Sequence, residues 1–248
     1  MSSSTQLYTD LSHYYDLMCC DINYQQQSQA VMRLNDLFGN SGKSHLDLAC
    51  GTGPHIRHFI DAGYQSSGLD INQPMLDIAK ARCPEAEFIL QNMNQFTLDQ
   101  PVDLITCFLY SLHYNPDIAQ LQQCIKQAYN ALTPAGLFCF NTVDKLKICN
   151  NTAVRHSTTY DNKLFDFESA WFYCDQSDSQ ALKLNISKTN ANVTKHWHDQ
   201  HSMVAVSFNQ LQQLLLPWFE VYILEHDYTS IQQYSGESGN ALFVCVKR

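Results

Sequence analysis

The run Asp47-Leu48-Ala49-Cys50-Gly51-Thr52-Gly53 constrains this 248-residue chain more tightly than any other stretch. An apolar, strand-like segment leads into it, two glycines stand where the backbone must turn sharply, and Pro54 opens a segment with helical spacing. A strand, turn and helix of this kind bring bare main chain against a ligand at the carboxyl edge of a sheet. A second apolar run ends in Asp70, where a carboxylate can accept both hydroxyls of a ribose. The dinucleotide fingerprint needs a third glycine, but Gly53 is followed by Pro54-His55-Ile56. Isoleucine there obstructs the close helix-strand packing that fingerprint requires.

From residue 44 to 143 strands and helices alternate, which predicts a parallel sheet covered on both faces. Strands are expected over Ser44–Ala49, Tyr64–Asp70, Ala86–Leu90, Val102–Leu109 and Leu137–Val143. Between them lie helices: Pro54 to Ala62, closed by Gly63; one capped by Asn72 and carrying Met75, Ile78, Ala79 and Arg82; and one striped by Ile118, Leu121, Ile125, Ala128 and Leu132. The last of these is expected to stop at Thr133-Pro134-Ala135-Gly136. Leu182, Leu184 and Ile186 then alternate with Lys183, Asn185 and Ser187, the period of a half-exposed strand, so 145–205 reads as an antiparallel excursion. Ser207-Phe208-Asn209-Gln210 has the form of a capping box, and Phe219–Leu224 and Ala241–Val246 supply two final strands around the turn Tyr234–Gly239. The expected organisation is an N-terminal helical cap over 1–43, a core formed by 44–144 and 206–248, and a lid over 145–205.

Lys and Arg number 15 against 24 Asp and Glu, a formal net charge of −9, which argues against the phosphate-neutralising surface of a nucleic-acid partner. No window approaches the ~18 consecutive apolar residues of a membrane span, and the stretch Met1–Asp10 lacks the features of a leader. A cytoplasmic protein acting on a small molecule is expected. Most of the ten cysteines, among them Cys50, Cys107, Cys139 and Cys245, sit in apolar runs and read as buried thiols. The adjacent Cys19-Cys20 pair is poorly placed for a mutual disulfide.

Asp47 to Gly53, Asp70 and the pair Asn92-Met93 after the third strand resemble the pocket of class I S-adenosylmethionine-dependent methyltransferases. The likeness implies a Rossmann-like α/β fold with a seven-stranded sheet, its last strand antiparallel, helices on both faces and an antiparallel insertion between strands 5 and 6. A narrower resemblance is to aminosugar N,N-dimethyltransferases of antibiotic biosynthesis, carried by Tyr15-Asp16, by Asp47 to Arg57, by Cys107-Phe-Leu-Tyr-Ser111-Leu-His-Tyr114, by His196-Trp-His-Asp-Gln-His201 and by Leu242-Phe-Val-Cys245. It implies transfer of a methyl group to a small-molecule amine, with S-adenosyl-L-homocysteine as product. Backbone at Ala49, Gly51 and Gly53 then lines the methionine part, Asp47 orients its ammonium, Asp70 holds the ribose, and Asn92 and Met93 take the adenine. Ile71, Met75, Phe108 and Tyr15 complete the lining. The related enzymes usually carry aspartate at position 92 and glycine at 113.

Methyl transfer by in-line displacement asks mainly for positioning. An amine must be neutral before it attacks, so His113 is a candidate base or orienting group, with a satisfied histidine as the alternative. Tyr14 is a candidate catalytic aromatic from the N-terminal cap, and Tyr110, Tyr114 and His201 are candidate substrate contacts. No metal is expected: strand parity puts His196 and His198 on one face and His201 on the other. The aromatics Tyr160, Phe165, Phe167, Trp171, Phe172, Tyr173 and Trp197 suggest that the excursion covers the acceptor and mediates a homodimer. A non-catalytic cofactor-binding or partner-binding module on the same fold is the alternative reading, hinted at by Asn92 and His113.

Overall fold

A computed structural model describes residues 6–9, 11–191 and 193–248. Expectations that touch Met1–Thr5, Asp10 and Asn192 lie outside the described residues. Strands β1 (Ser44–Leu48), β2 (Gln65–Asp70), β3 (Glu87–Leu90), β4 (Val102–Cys107) and β5 (Leu132–Val143) run parallel. The excursion folds as β6 (Val154–Tyr160), β7 (Lys163–Tyr173), β8 (Ser179–Asn190) and β9 (Val193–Val204), after which β10 (Phe219–Glu225) and β11 (Asn240–Lys247) return to the main sheet. That sheet has seven strands in the order β10-β11-β5-β4-β1-β2-β3, with β11 antiparallel to both neighbours. The excursion is a separate four-stranded antiparallel sheet, β6-β7-β8-β9.

The helices are α1 (Tyr15–Met18), α2 (Tyr24–Phe38), α3 (Pro54–Asp61), α4 (Gln73–Arg82), α5 (Ile118–Ala131) and α6 (Phe208–Leu215). One face of the main sheet packs on α5 and α6 through Leu121, Ile125, Phe208, Leu211, Phe138, Phe140 and Phe243. The other packs on α2 and α3 through Val31, Leu34 and Phe59. The capping box at Ser207 and Gln210 is formed, so α6 starts where its sequence says it must. None of the helices described is long and apolar enough to cross a membrane. All ten cysteines are free, with Cys50, Cys107, Cys139 and Cys245 buried.

Several local expectations are corrected. Leu132 belongs to β5 rather than to the α5 stripe; the ladder jumps from Leu132 opposite Val102 to Leu137 opposite Leu104, and the intervening residues bulge out. On α4 the buried positions are Met75, Leu76 and Ala79, whereas Ile78 and Arg82 are half-exposed. Asn72 stands at the N-cap of α4 but its side chain does not cap; the amide donates instead to Asp70 Oδ1 at 3.2 Å, because a buried carboxylate is the stronger acceptor. The aromatic face of the four-stranded sheet packs first on the N-terminal segment. Phe165, Phe167, Leu184 and Ile186 bury Leu7 and Leu11, with Tyr8, Tyr14 and Tyr15 alongside, whereas Tyr160 and Phe172 remain exposed.

Gly68 in β2 marks a close approach of α3 to the sheet. A Cβ there would lie 2.5 Å from Ile56 Cδ1 and 2.7 Å from Cys50 Sγ. Gly68→Ala is therefore expected to cost about 1–3 kcal/mol of stability through overpacking, read as a lower urea midpoint at constant slope. An unchanged midpoint would show that helix and strand are not in close contact there.

Candidate active site

At the carboxyl ends of β1 and β2 the backbone turns through left-handed conformations at Ala49 (φ 54°), Gly51 (φ 55°) and Gly53 (φ 77°). Two glycines remove most of that strain, while alanine at 49 retains it, a cost that concentrates at binding sites. Asp70, the last residue of β2, fixes the turn. Its Oδ2 accepts the Gly51 N–H at 3.0 Å and its Oδ1 accepts the Asn72 N–H at 2.8 Å. Burial raises the Asp70 carboxyl above its ordinary value, opposed by these backbone donors.

Two chambers that share Tyr15, Ala49, Gly51 and Ser111 open around this turn. The larger, about 210 Å³, is lined by Ala49, Gly51, Asp70, Ile71, Met75, Asn92, Met93, Tyr15 and Tyr114, all anticipated, and by Tyr8 and Ser111, which were not. The smaller, about 20 Å³, is lined by Asp47, Gly51, Phe108, Tyr15, Tyr24 and His55. Asp47 is 2% exposed, and burial pushes its carboxyl up to about 7 although the Thr106 hydroxyl donates to it at 2.6 Å. Tyr24, the first residue of α2, has a buried hydroxyl without a hydrogen-bond partner. Asn23 marks that helix start in the sequence, since its side chain accepts the Gln26 N–H, but nothing in the spacing aims Tyr24 inward.

These chambers fit an adenosyl amino acid. Met75, Ile71 and Met93 offer an apolar slot for a flat base, Asp70 keeps lone pairs for sugar hydroxyls, and Asp47 faces the space suited to an ammonium. The unpartnered Tyr24 hydroxyl is the kind of buried donor that a carboxylate would satisfy. Asn92 holds its own loop by accepting the Asn94 N–H at 3.2 Å. Over the turn, Thr52 Oγ1 donates to Asp16 Oδ1 at 2.6 Å, and Arg82 pairs with Asp16 while donating to the Thr52 carbonyl at 2.9 Å, latching the N-terminal segment down.

Five anticipated residues line neither chamber: Gly53, Tyr14, His113, Tyr110 and His201. Gly53 lines neither chamber; a Cβ there would stand 3.2 Å from Ala79 Cβ, so its missing side chain serves α3 against α4. Tyr14 accepts from Lys188 Nζ at 2.8 Å and packs on Phe165, inside the contact between N-terminal segment and lid. His113 is 1% exposed with both nitrogens occupied: Nε2 accepts from the Val143 N–H at 3.2 Å and the Thr142 hydroxyl at 2.7 Å, so Nδ1 carries the proton and donates to the Val204 carbonyl at 3.0 Å. Burial lowers it to about 4. It joins β5 to the end of β9 as a neutral core histidine, the alternative reading given above. His196 and His198 are exposed while His201 is buried, as strand parity requires.

The polar chain that does reach the larger chamber runs through Tyr114 and His201. The Tyr8 and Tyr114 hydroxyls are 2.6 Å apart, Tyr114 bonds His201 Nδ1, and His201 Nε2 stands 3.4 Å from Asp199 Oδ2 without a well-aligned hydrogen bond. Burial lowers the His201 pKa against the opposing pull of Asp199. On the other side of the turn after β4, Leu109 (φ 53°) and Tyr110 (φ 62°) are held in strained conformations, the Tyr110 N–H donating to Asn141 Oδ1 at 3.2 Å. The Tyr110 ring meets Trp171 of the lid edge-on at 5.6 Å and lies 6.0 Å from His226.

The strand order, the antiparallel β11 and the acid-tipped β2 beside a glycine turn together define the class I methyltransferase fold. Residues 46–136 match the family of methyltransferase domains. It is 32% identical over 95 residues to the dTDP-4-amino-2,3,4,6-tetradeoxy-D-glucose N,N-dimethyltransferase of Saccharopolyspora spinosa, covering 38% of either chain. To the dTDP-3-amino-3,6-dideoxy-alpha-D-glucopyranose N,N-dimethyltransferase of Streptomyces fradiae it is 29% identical over 115 residues, 46% of this chain and 45% of that one. Each match thus spans less than half of the relative. The crystal structure of DesVI from Streptomyces venezuelae shares the fold at TM-score 0.84 and 20% identity, over 97% of this chain and 99% of that one.

Asp70→Asn puts an amide N–H against the N–H of Gly51 or Asn72, whichever way it turns. It is expected to weaken S-adenosylhomocysteine binding by about 1.5–3 kcal/mol, measured by calorimetry. Undiminished affinity would remove Asp70 from the site.

Proposed function

We propose that the chain is an S-adenosylmethionine-dependent methyltransferase whose acceptor is a small molecule bearing an amine nitrogen. The observation that carries this reading is the pair of chambers around Gly51, in which Asp70, Asp47 and the Met75–Met93 slot stand ready for ribose, ammonium and adenine. The two sugar N,N-dimethyltransferases to which part of the chain is similar favour nitrogen over oxygen or carbon. The net charge of −9 suits a small or cationic acceptor better than a polyanion.

When bound, the cofactor supplies a methyl carbon already activated by the positive sulfur attached to it. The protein then has to exclude water, align the nucleophile and accept its proton. Tyr15 and the latched N-terminal segment cover the chambers from one side. Tyr110, Trp171 and His226 form a second aromatic wall beside the ends of β4 and β5, where an acceptor enters an open α/β fold. Tyr8 and Tyr114 take the place expected of Tyr14 and His113. Both line the larger chamber, and the uncharged His201 behind Tyr114 can take a proton while Asp199 stabilises the resulting cation.

Incubation with methyl-labelled cofactor and a panel of amines, aminosugars, alcohols and carboxylates tests the assignment, with label expected in an amine. Binding of cofactor with no acceptor anywhere in the panel would favour the non-catalytic module. In the active combination, Tyr114→Phe is expected to lower kcat roughly 10²-fold by cutting the route to His201. Unchanged turnover would place proton removal elsewhere.

A further inference from the structure

Under α3, one face of the main sheet carries a line of polar groups that ends on Asp47 and whose other members have no part in the reaction described above. Parallel register sets Ser66 of β2 beside His45 of β1, and Thr106 of β4 beside Asp47. Alternation along β1 puts His45 and Asp47 on the same face. Three hydrogen bonds join the four residues: Ser66 Oγ to His45 Nδ1 at 2.7 Å, His45 Nε2 to Thr106 Oγ1 at 2.8 Å, and Thr106 Oγ1 to Asp47 Oδ1 at 2.6 Å. His45 and Thr106 are fully buried, and the imidazole lies on the Phe59 ring with 3.9 Å between centroids. The ends of the line meet different spaces. Asp47 lines the smaller cofactor chamber, whereas Ser66 and His45 line a cleft of about 790 Å³ that also touches Glu87 and Asp99.

Two of the proton arrangements that satisfy all three bonds interconvert along the line. With Asp47 ionised, Ser66 donates to Nδ1, Nε2–H donates to Thr106, and Thr106 donates to the carboxylate. With Asp47 protonated on Oδ1, every bond reverses: the carboxyl donates to Thr106, Thr106 to Nε2, and Nδ1–H to Ser66. Passing from the second to the first shifts each proton by one bond. The net change is one proton lost from Asp47 and one gained by water at Ser66, with the imidazole neutral at both ends and nothing oxidised or reduced.

We propose that Ser66, His45 and Thr106 form a proton relay that carries the Asp47 proton out to the cleft as an ammonium-bearing ligand enters the small chamber, and returns it when the ligand leaves. The relay rests on reading the chambers as the cofactor site. An empty chamber then avoids holding two buried carboxylates together, and a filled one gains a charge pair. The phenols, thiol and imidazoles around Asp47 stay neutral while it titrates. Tyr15 from α1, Tyr24 from α2 and Cys50 from the turn are pushed up, and His45 and His55 are held down at about 3. Asp70, raised by burial, is held back by two backbone N–H bonds that favour its ionised form.

Calorimetric titration of the full chain with S-adenosylhomocysteine, in buffers of different ionisation enthalpy, counts the protons released. About one per ligand is expected at pH 6, falling toward zero by about pH 8, because Asp47 is already ionised there. Stopped-flow mixing with a pH indicator should show release keeping pace with binding. His45→Gln still offers an amide N–H to Thr106 but cannot exchange tautomers, so the proton count should persist while release lags binding at least about tenfold. Thr106→Val should lag likewise and Thr106→Ser should restore the rate, a pair that serves if His45→Gln does not fold. Release as fast in His45→Gln or Thr106→Val as in the wild type overturns the relay, as does ligand binding without proton release. Failure of the wild type to bind the ligand at all overturns the cofactor reading as well.

Discussion

The hydrogen bond from the Gly51 amide to the Asp70 carboxylate ties the first crossover of the sheet to the tip of its second strand, and the site is organised around it. β1 and β2 are already neighbours by register, but the left-handed turn between Leu48 and Pro54 still needs its Gly51 amide fixed. A buried carboxylate accepting two backbone N–H groups supplies that constraint and orients its own remaining lone pairs toward the larger chamber. The same residue thus shapes the turn and presents the group that would hold a sugar.

Around this centre the chain builds covers of different kinds. The nearest is the N-terminal segment, held by the Asp16, Thr52 and Arg82 latch and contributing Tyr8 and Tyr15 to the chamber wall. Over that lies the four-stranded sheet, whose inner aromatic face packs on Leu7 and Leu11. Segment and sheet therefore act as one packing unit. His113 pins the end of β9 to β5 from below, so the lid's position is set by a buried, neutral histidine bonded on both sides.

Much of this was legible in the chain. Period-2 and period-3.6 patterns located the strands and helices of the core, the capping box fixed the start of α6, and Asp47 to Asp70 gave the turn and most of the chamber lining. What escaped depends on contacts distant in sequence. Gly53 looked like a second ligand-facing glycine, but only the packing of α3 on α4 reveals that it meets Ala79. His113 sits in a loop that reads as catalytic, and its saturation needs partners from β5 and β9. Tyr8 lies in a short segment with no periodicity, so nothing nearby could aim it at Tyr114. Thr106 and His45 looked like ordinary strand residues, since their bonding follows from strand register rather than from spacing along one strand.

The central claim is that the two chambers beside Gly51 hold an adenosyl amino acid by its ribose at Asp70 and its ammonium at Asp47. Crystals grown with S-adenosylhomocysteine test it most directly. The account predicts density continuous through both chambers, with the ribose hydroxyls on Asp70 and the amino group facing Asp47. Ligand density anywhere else, or empty chambers in crystals grown at saturating ligand, would contradict it.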